Sequence, residues 1–404
     1  MNLDAEWLET DGCGGFVSGT VGGARSRRYH ALLLPATRPP VGRMVLVNGI
    51  DAWLETAGGH YPLSTQCYHG GVGQGDVLYP RGQDFIVDFK DDPWPQWTYE
   101  FPDGSRVTRE IFVHRATGLT VLSWHLRTPP SEESGIGARL QIWPLVSGRD
   151  YHSLQQENAA FAAAPVSQEG NSVLWQPYQG VPGTRVWSSG EYQGGAEWYR
   201  HFIYAEERAR GLDCMEDLMA PGVFTFDLGT GGTAALLLGA VSDLSLPPAV
   251  ALDADITEVA SRWRVEEQGR RAAFPELLQR SGDAYLVRGE RGATVIAGYP
   301  WFTDWGRDTF ISLRGLCLAT GRLAEAREIL LHWSAAVSEG MLPNRFPDSS
   351  EAPEYNTVDA ALWFVVVAHE YLRRVPPAED DAATARDARD AQQLLATCEA
   401  ILEG

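Results

Sequence analysis

The spacing of apolar residues changes character once along this chain. Up to about Val241 the hydrophobic positions fall in short runs, many of them alternating with polar ones, and glycine and proline punctuate them. "WTYEFPDGSRVTREIFVHRATGLTVLSWHL" predicts a meander: two strands around Pro102-Asp103-Gly104, with Val107, Arg109, Ile111 and Val113 on one face, then a turn and a third strand. Similar runs at "GRMVLVNG", "HYPL", "DFIVDF", "ARLQIWPLV" and "TAALLLGAVSD" predict packed antiparallel sheets, and so a β-sandwich. From Ile256 the period becomes helical. "ITEVASRWRVEEQGRRAAFPELLQRSGDAYLV" spaces its apolar groups at helical intervals. Leu323, Ala326, Ile329, Leu330, Trp333 and Val337 form one stripe between Gly321 and Gly340, and further helices are predicted over Val358 to Arg373 and from about Ala382 to Leu402. The pattern predicts a β domain over residues 1–245, a linker and connecting helix over 246–290, and a helical domain over 291–404.

Composition narrows the partners. With 53 acidic against 33 basic residues the formal net charge is -20, which repels nucleic-acid phosphates and anionic lipid heads. The amino terminus has no basic segment followed by an apolar one, and the longest apolar run, Ala360 to Ala368, is too short to span a bilayer. A cytoplasmic location is therefore expected, with no nucleic-acid or membrane partner; oligomeric state is not legible. Five separated cysteines without a Cys-x-x-Cys pair predict neither a disulfide framework nor a zinc site, and the histidines show no metal-ligand spacing. Lys90 is the only lysine. It leaves no Walker A lysine, and its turn-like "FKDDPW" setting reads as a solvated charge. The glycine-rich "DGCGGFVSGTVGG" has Val17 where a dinucleotide fingerprint needs its third glycine, so it reads as backbone turns. No cofactor and no metal are expected.

Polar and aromatic residues gather between the helices, in "YPWFTDWGRDTF", "GMLPNRFPDSSEAPEYN" and "NTVDAALWF". Loops at one end of a helical array face one opening, so these clusters can converge. Aromatic faces suit the apolar faces of a pyranose, and Asp, Arg and Asn make paired hydrogen bonds to neighbouring hydroxyls. Trp301, Trp305, Arg307, Asp308, Asn344, Asn356, Asp359 and Trp363 supply such a set. Structural readings stand beside it: Asp308 as a helix cap, Arg307 as a surface ion pair, Asp359 as a first-turn acid favouring the helix dipole, Trp363 as core, Glu351 and Glu354 as loop charges. In the β half, "GARSRRYHALLLP" concentrates Arg25, Arg27, Arg28, Tyr29 and His30. Either these pair with carboxylates at a domain interface, or Arg28 and His30 reach over the sugar pocket.

These segments resemble the amylo-α-1,6-glucosidase branch of the glycogen debranching enzymes, in its compact bacterial and archaeal form. "DGCGGFVSGTVGGARSRRYHALLLP" is similar to that family's amino-terminal signature and "WYRHFIYAEERARGLDCMEDLMAPG" to a later sandwich segment. "WFTDWGRDTFISLRGLCLATGR", "GMLPNRF" and "YNTVDAALWF" are similar to the start of its catalytic domain. Ala31 stands where glycine is common, and Asp11 and Cys13 where Asn and Leu are frequent. The resemblance implies an (α/α)6 barrel behind the β-sandwich and exo-acting hydrolysis of the α-1,6-linked glucose at branch points of glycogen or another branched α-glucan. Arg307 and Asp308 match the pair that grips the terminal glucose; Asn356 and Asp359 match positions in the next part of the pocket. It also implies that the barrel is incomplete here, with four or five of twelve helices. The general acid, in a Trp-Met-Asp segment absent from this sequence, and the base are expected beyond Gly404, so the catalytic residues are unknown and the 404-residue chain alone is expected to be inactive. The alternatives are a noncatalytic α-glucan-binding protein, and a disaccharide phosphorylase or another glucosidase on the same barrel.

Overall fold

The structure is a computed structural model. It describes residues 1–71, 73–128, 137–229, 231–243, 248–274, 276–290, 292–345, 353–376 and 381–404, without the side chains of 128 and 381–383. The chain forms two compact units. One comprises Met1–Asp11, Gly15–Pro35 and Arg43–Ala272; the other comprises Gly12–Gly14, Ala36–Gly42 and Ala273–Gly404.

The first unit is built of antiparallel sheets. An eleven-stranded sheet is anchored by three long strands, Val41–Thr56, Ala138–Asp150 and Met215–Gly229, and an eight-stranded sheet contains the predicted meander. In that meander Gln96–Glu100 pairs with Arg106–His114, which pairs with Leu119–Thr128. Gly104 takes a positive φ of 84° in the first turn, where Asp103 accepts a hydrogen bond from the Ser105 amide at 3.0 Å. Alternation then sorts the side chains. Val107, Ile111 and Val113 join Leu122 and Leu236 in a core shared with Leu46, Ala52, Leu140, Ile142 and Phe224 of the larger sheet.

The opposite face of the eight-stranded sheet is also apolar in one place. Phe112, Val121 and Leu237 pack there against Ile256, Val259, Ala260 and Trp263. These belong to α2 (Ile256–Ala272), the second helix after the short α1 (Ala205–Ala209). Asp255 starts α2, its carboxylate accepting from the amides of Thr257 and Glu258 at 2.9 and 3.2 Å.

The second unit begins where the sequence predicts continuous helix, and there the structure differs. After α3 (Leu277–Asp283), residues Leu286–Gly289 and Gly292–Val295 form a two-stranded hairpin. The β-branched Val287, Thr294 and Val295 favour strands, and Gly292 opens the second strand with a φ of 108°. The apolar spacing of this stretch was compatible with a helix, but its composition was not.

Among the described residues four helices follow: α4 (Gly306–Leu313), which runs on through a π-helical turn at Arg314–Leu318, then α5 (Leu323–Ser334), α6 (Asp359–Leu372) and α7 (Asp381–Glu403). Helices α4 and α6 are parallel neighbours. Arg307 meets Asp359 at their amino ends and Arg314 meets Glu370 at their other ends. Helix α5 returns antiparallel to α4, since the Arg322 amide bonds the Cys317 carbonyl at one end and Trp333 packs on Phe310 at the other. Helix α7 runs in the direction of α5, pairing Asp390 with Arg327 and Gln393 with Ser334 in order. The unit is therefore two helical hairpins of the same sense laid side by side. Phe310, Trp333 and Phe364 form its centre, with ring centroids 5.3 Å apart in two edge-on pairs. No helix among the described residues is long and apolar enough to cross a membrane.

Candidate functional site

The amino ends of α4 and α6 lie side by side because Gly306 leaves no room between them. A Cβ at that position would stand 2.8 Å from the Pro343 carbonyl oxygen, 3.2 Å from the Trp333 ring and 3.3 Å from the Ala360 methyl. The Gly306 amide donates to the Asn344 carbonyl at 2.7 Å, and the Asn344 amide to the Glu354 carbonyl at 2.6 Å. Isolated bridges join Trp305 to Arg345 and Arg345 to Glu354. Residues from the loop before α4 and from two stretches of the α5–α6 connection thus meet over two helix termini.

Arg307 is central there. Its Nε lies 3.8 Å from Asp308 Oδ2 and its Nη1 3.7 Å from Asp359 Oδ2, with all three side chains substantially exposed. These are loose charge contacts rather than hydrogen bonds, so the donor fork and both carboxylates keep capacity for an outside partner. The carboxylate of Asp308 makes no hydrogen bond among the described residues, and the residue at the cap position of α4 is Trp305. Asp308 is therefore a first-turn acid and not the cap. Asp359 accepts a short hydrogen bond from the Thr357 hydroxyl; that bond, aided by Arg307, holds its carboxyl below the usual range. It is a fixed acceptor at neutral pH.

Aromatic residues border the triad. Trp305 is partly exposed, with Phe302 edge-on at 5.9 Å and the Arg345 guanidinium over its ring at 5.7 Å. Trp301 and Phe302 are exposed in the preceding loop, and Asn356 and Tyr355 are exposed before α6. Trp363 sits one turn further along α6. It is half-buried against the helical core, and its ring faces Arg314 at 5.9 Å rather than the triad.

Two site residues escaped sequence reasoning. Arg345 and Glu354 form a forked pair at 3.0 and 2.7 Å, and this pair keeps the Glu354 carboxyl depressed. The reading of Glu354 as a solvated loop charge missed its partner nine positions earlier. Glu351 lies outside the described residues.

Arg28 and His30 belong to the first unit and are bound up within it. Arg28 donates to the carbonyls of His152 and Asp213 and lies 3.4 Å from the fully buried Glu207. The ring of His30 accepts from the Ser26 amide at 3.2 Å and faces Glu6 at 3.5 Å, and burial lowers its pKa. The carboxylates that answer Arg27 and Arg28 are thus the first unit's own. Among the described residues no group of three or more His, Cys, Asp and Glu is arranged to hold a metal ion.

Comparison with known families bears on both units. A family model for the amino-terminal part of glycogen debranching enzyme matches residues 5–235, more than half of the chain. The chain belongs to the glycogen debranching enzyme family. A second model, described as amylo-alpha-1,6-glucosidase, matches residues 280–397 and so contains the site. The glycogen debranching enzyme of Saccharomyces cerevisiae is 36% identical over 109 residues, which are 26% of this chain and 7% of the yeast protein. This debranching-family chain therefore spans a small part of that relative. Among solved structures, a bacterial glucoamylase complexed with acarbose aligns over 99% of this chain and 64% of its own at 10% identity, with a TM-score of 0.45. A polysaccharide lyase aligns over 65% of this chain and 35% of its own at 9% identity, with a TM-score of 0.28.

Proposed function

We propose that this chain carries the glucan-gripping part of an amylo-α-1,6-glucosidase, a glycoside hydrolase that removes the α-1,6-linked glucose at branch points of glycogen or a related α-glucan. The observation that carries this reading is the open triad of Arg307, Asp308 and Asp359 over the paired helix ends, bordered by Trp305 and Trp301. A terminal glucose presents adjacent hydroxyls and an apolar ring face. The two carboxylates accept from neighbouring hydroxyls, the guanidinium between them donates to hydroxyl oxygens, and an indole covers the ring. Asn344 and Asn356 extend the polar edge.

In this reading the two helical hairpins are the first part of an (α/α)6 barrel, and the antiparallel unit is the β-sandwich that precedes it. Parallel α4 and α6, each with an antiparallel return helix, support it, because alternate helices of such a barrel run in the same direction. The roles assigned to these residues are binding roles. Hydrolysis with inversion needs two carboxyls roughly 6.5–9.5 Å apart across the scissile bond. None of the residues gathered here is assigned to that work; Asp308 and Asp359, beside a fixed cation, serve as acceptors.

The test is binding of a singly glucosyl-branched maltodextrin to the 404-residue chain by calorimetry. Asp308→Asn should weaken binding at least tenfold while the melting temperature stays within a degree or two. Unfolding with unchanged affinity would make Asp308 a structural residue. With a family member that carries the complete barrel, release of free glucose from the same substrate is expected; phosphate-dependent release of glucose-1-phosphate would replace hydrolysis by phosphorolysis.

A further inference from the structure

One feature of the first unit plays no part in gripping glucan. Arg109 occupies an inward position of the strand Arg106–His114, between Val107 and Ile111, where alternation calls for an apolar side chain. It is 7% exposed, and Arg25, from the arginine-rich loop, is 8% exposed. Neither makes an ion pair or a hydrogen bond to any described residue, and the Nε of each is buried without an acceptor. Their protein contacts are aromatic: Arg109 lies 4.0 Å over the Trp97 ring and Arg25 4.7 Å over the Phe202 ring. Both line one cavity of about 50 Å³, together with Trp7, Ser18, Asn48 and Gln66.

Guanidinium does not lose its proton inside a protein, so a buried arginine stays charged and requires compensation. Ring faces supply only part of it. Two nearby carboxylates whose fields reach Arg25 or its surroundings are already committed. Asp51 accepts from Trp53 Nε1 at 3.1 Å and from the Tyr199 hydroxyl at 3.3 Å. Glu216 accepts from Arg149, the Tyr204 hydroxyl, Asn48 Nδ2 and the Gln155 amide. We propose that this cavity is a binding site for one small monovalent inorganic anion of the chloride class, held by Arg25 and Arg109.

Size and chemistry fix the class. The cavity has room for only a few particles of water's size, each needing roughly 10–15 Å³ of such space. A sugar or a phosphate ester does not fit. Asn48 Oδ1 and Gln66 Oε1, which also lack donors, suit a single water beside the ion.

The intact chain tests this in sodium gluconate at fixed ionic strength, with chloride, bromide or fluoride replacing gluconate. A saturating rise of a few degrees in melting temperature is expected with chloride and bromide but not with strongly hydrated fluoride. In a bromide-soaked crystal, an anomalous peak should lie within hydrogen-bonding distance of both guanidinium groups. Arg109→Met should fold and lose the halide response. Equal melting temperatures in all the salts, a halide response that survives in R109M, or a bromide-free cavity holding only water would overturn the proposal. If R109M does not fold, the anomalous peak in the unaltered protein decides.

Discussion

Two of the arginine–carboxylate meetings in this molecule are built in opposite ways. In the first unit, Arg149 and Glu216 are almost wholly buried and make short contacts. Glu216 also receives Tyr204, Asn48 and the Gln155 amide, so every acceptor position is taken. In the second unit, Arg307 touches Asp308 and Asp359 only at 3.8 and 3.7 Å, in the open, with bonding capacity unused. The same residue types give a saturated, buried fastener in one place and an open cluster, proposed as a grip, in the other. Burial and saturation decide which, since a buried charge must be answered inside the fold whereas an exposed one can be answered by a ligand.

The sharpest way to break the contrast is to remove one half of the fastener. Glu216→Gln should cost about 3–5 kcal/mol of stability, measured by urea unfolding, because Arg149 would remain buried without its counter-charge. A cost under 1 kcal/mol would mean that the pair contributes nothing beyond its packing. On the exposed side, Arg307→Ala should weaken binding of the branched maltodextrin roughly ten- to a hundredfold, the range expected for charge-assisted hydrogen bonds, with melting nearly unchanged. Loss of stability without loss of affinity would turn the grip into a second fastener.

The smallest effect concerns Glu6, intermediate between the two classes. The hydrogen bond with His30, assisted by Arg27, lowers its pKa from 4.5 to about 2. A carboxyl depressed on folding contributes stability that is fully present above its unfolded value and lost as pH falls through the folded one. Acid titration should therefore show a decline in melting temperature between about pH 4.5 and 2 that Glu6→Gln reduces. Because Glu6 is 42% exposed at the side chain, solvent screening keeps the difference small. An identical acid profile in the variant would remove Glu6 from the account.

What was legible in the sequence follows the same division. Strand alternation in Val107 to Val113 and the helical stripe from Leu323 to Trp333 report local burial, and local burial has a period. The hairpin at Leu286–Val295 was not legible from period alone, because runs of four residues are too short to separate strand from helix. At the candidate site, the neighbours Arg307 and Asp308 stood out as a charged pair, and the motif around Asp359 drew attention to the other half of the triad. The fork of Arg345 and Glu354 did not stand out, since it depends on how one loop folds back on itself. Trp363 carried a sugar-facing expectation on composition; its half-buried ring against Arg314 reflects a helix face that composition does not reveal.

The second unit is assembled from three stretches of chain. The amide of Arg288 donates to the Gly12 carbonyl at 2.8 Å and that of Glu290 to the Pro39 carbonyl at 3.2 Å, both with partners drawn from early in the sequence. A recombinant piece cut cleanly at residue 273 would consequently carry α3 to α7 and the Arg307–Asp308–Asp359 triad yet lack the hairpin's outer supports. Dissection of this protein by a single cut therefore misrepresents it: a faithful helical fragment would have to bring Gly12–Gly14 and Ala36–Gly42 along, supplied as a separate peptide or re-joined by circular permutation.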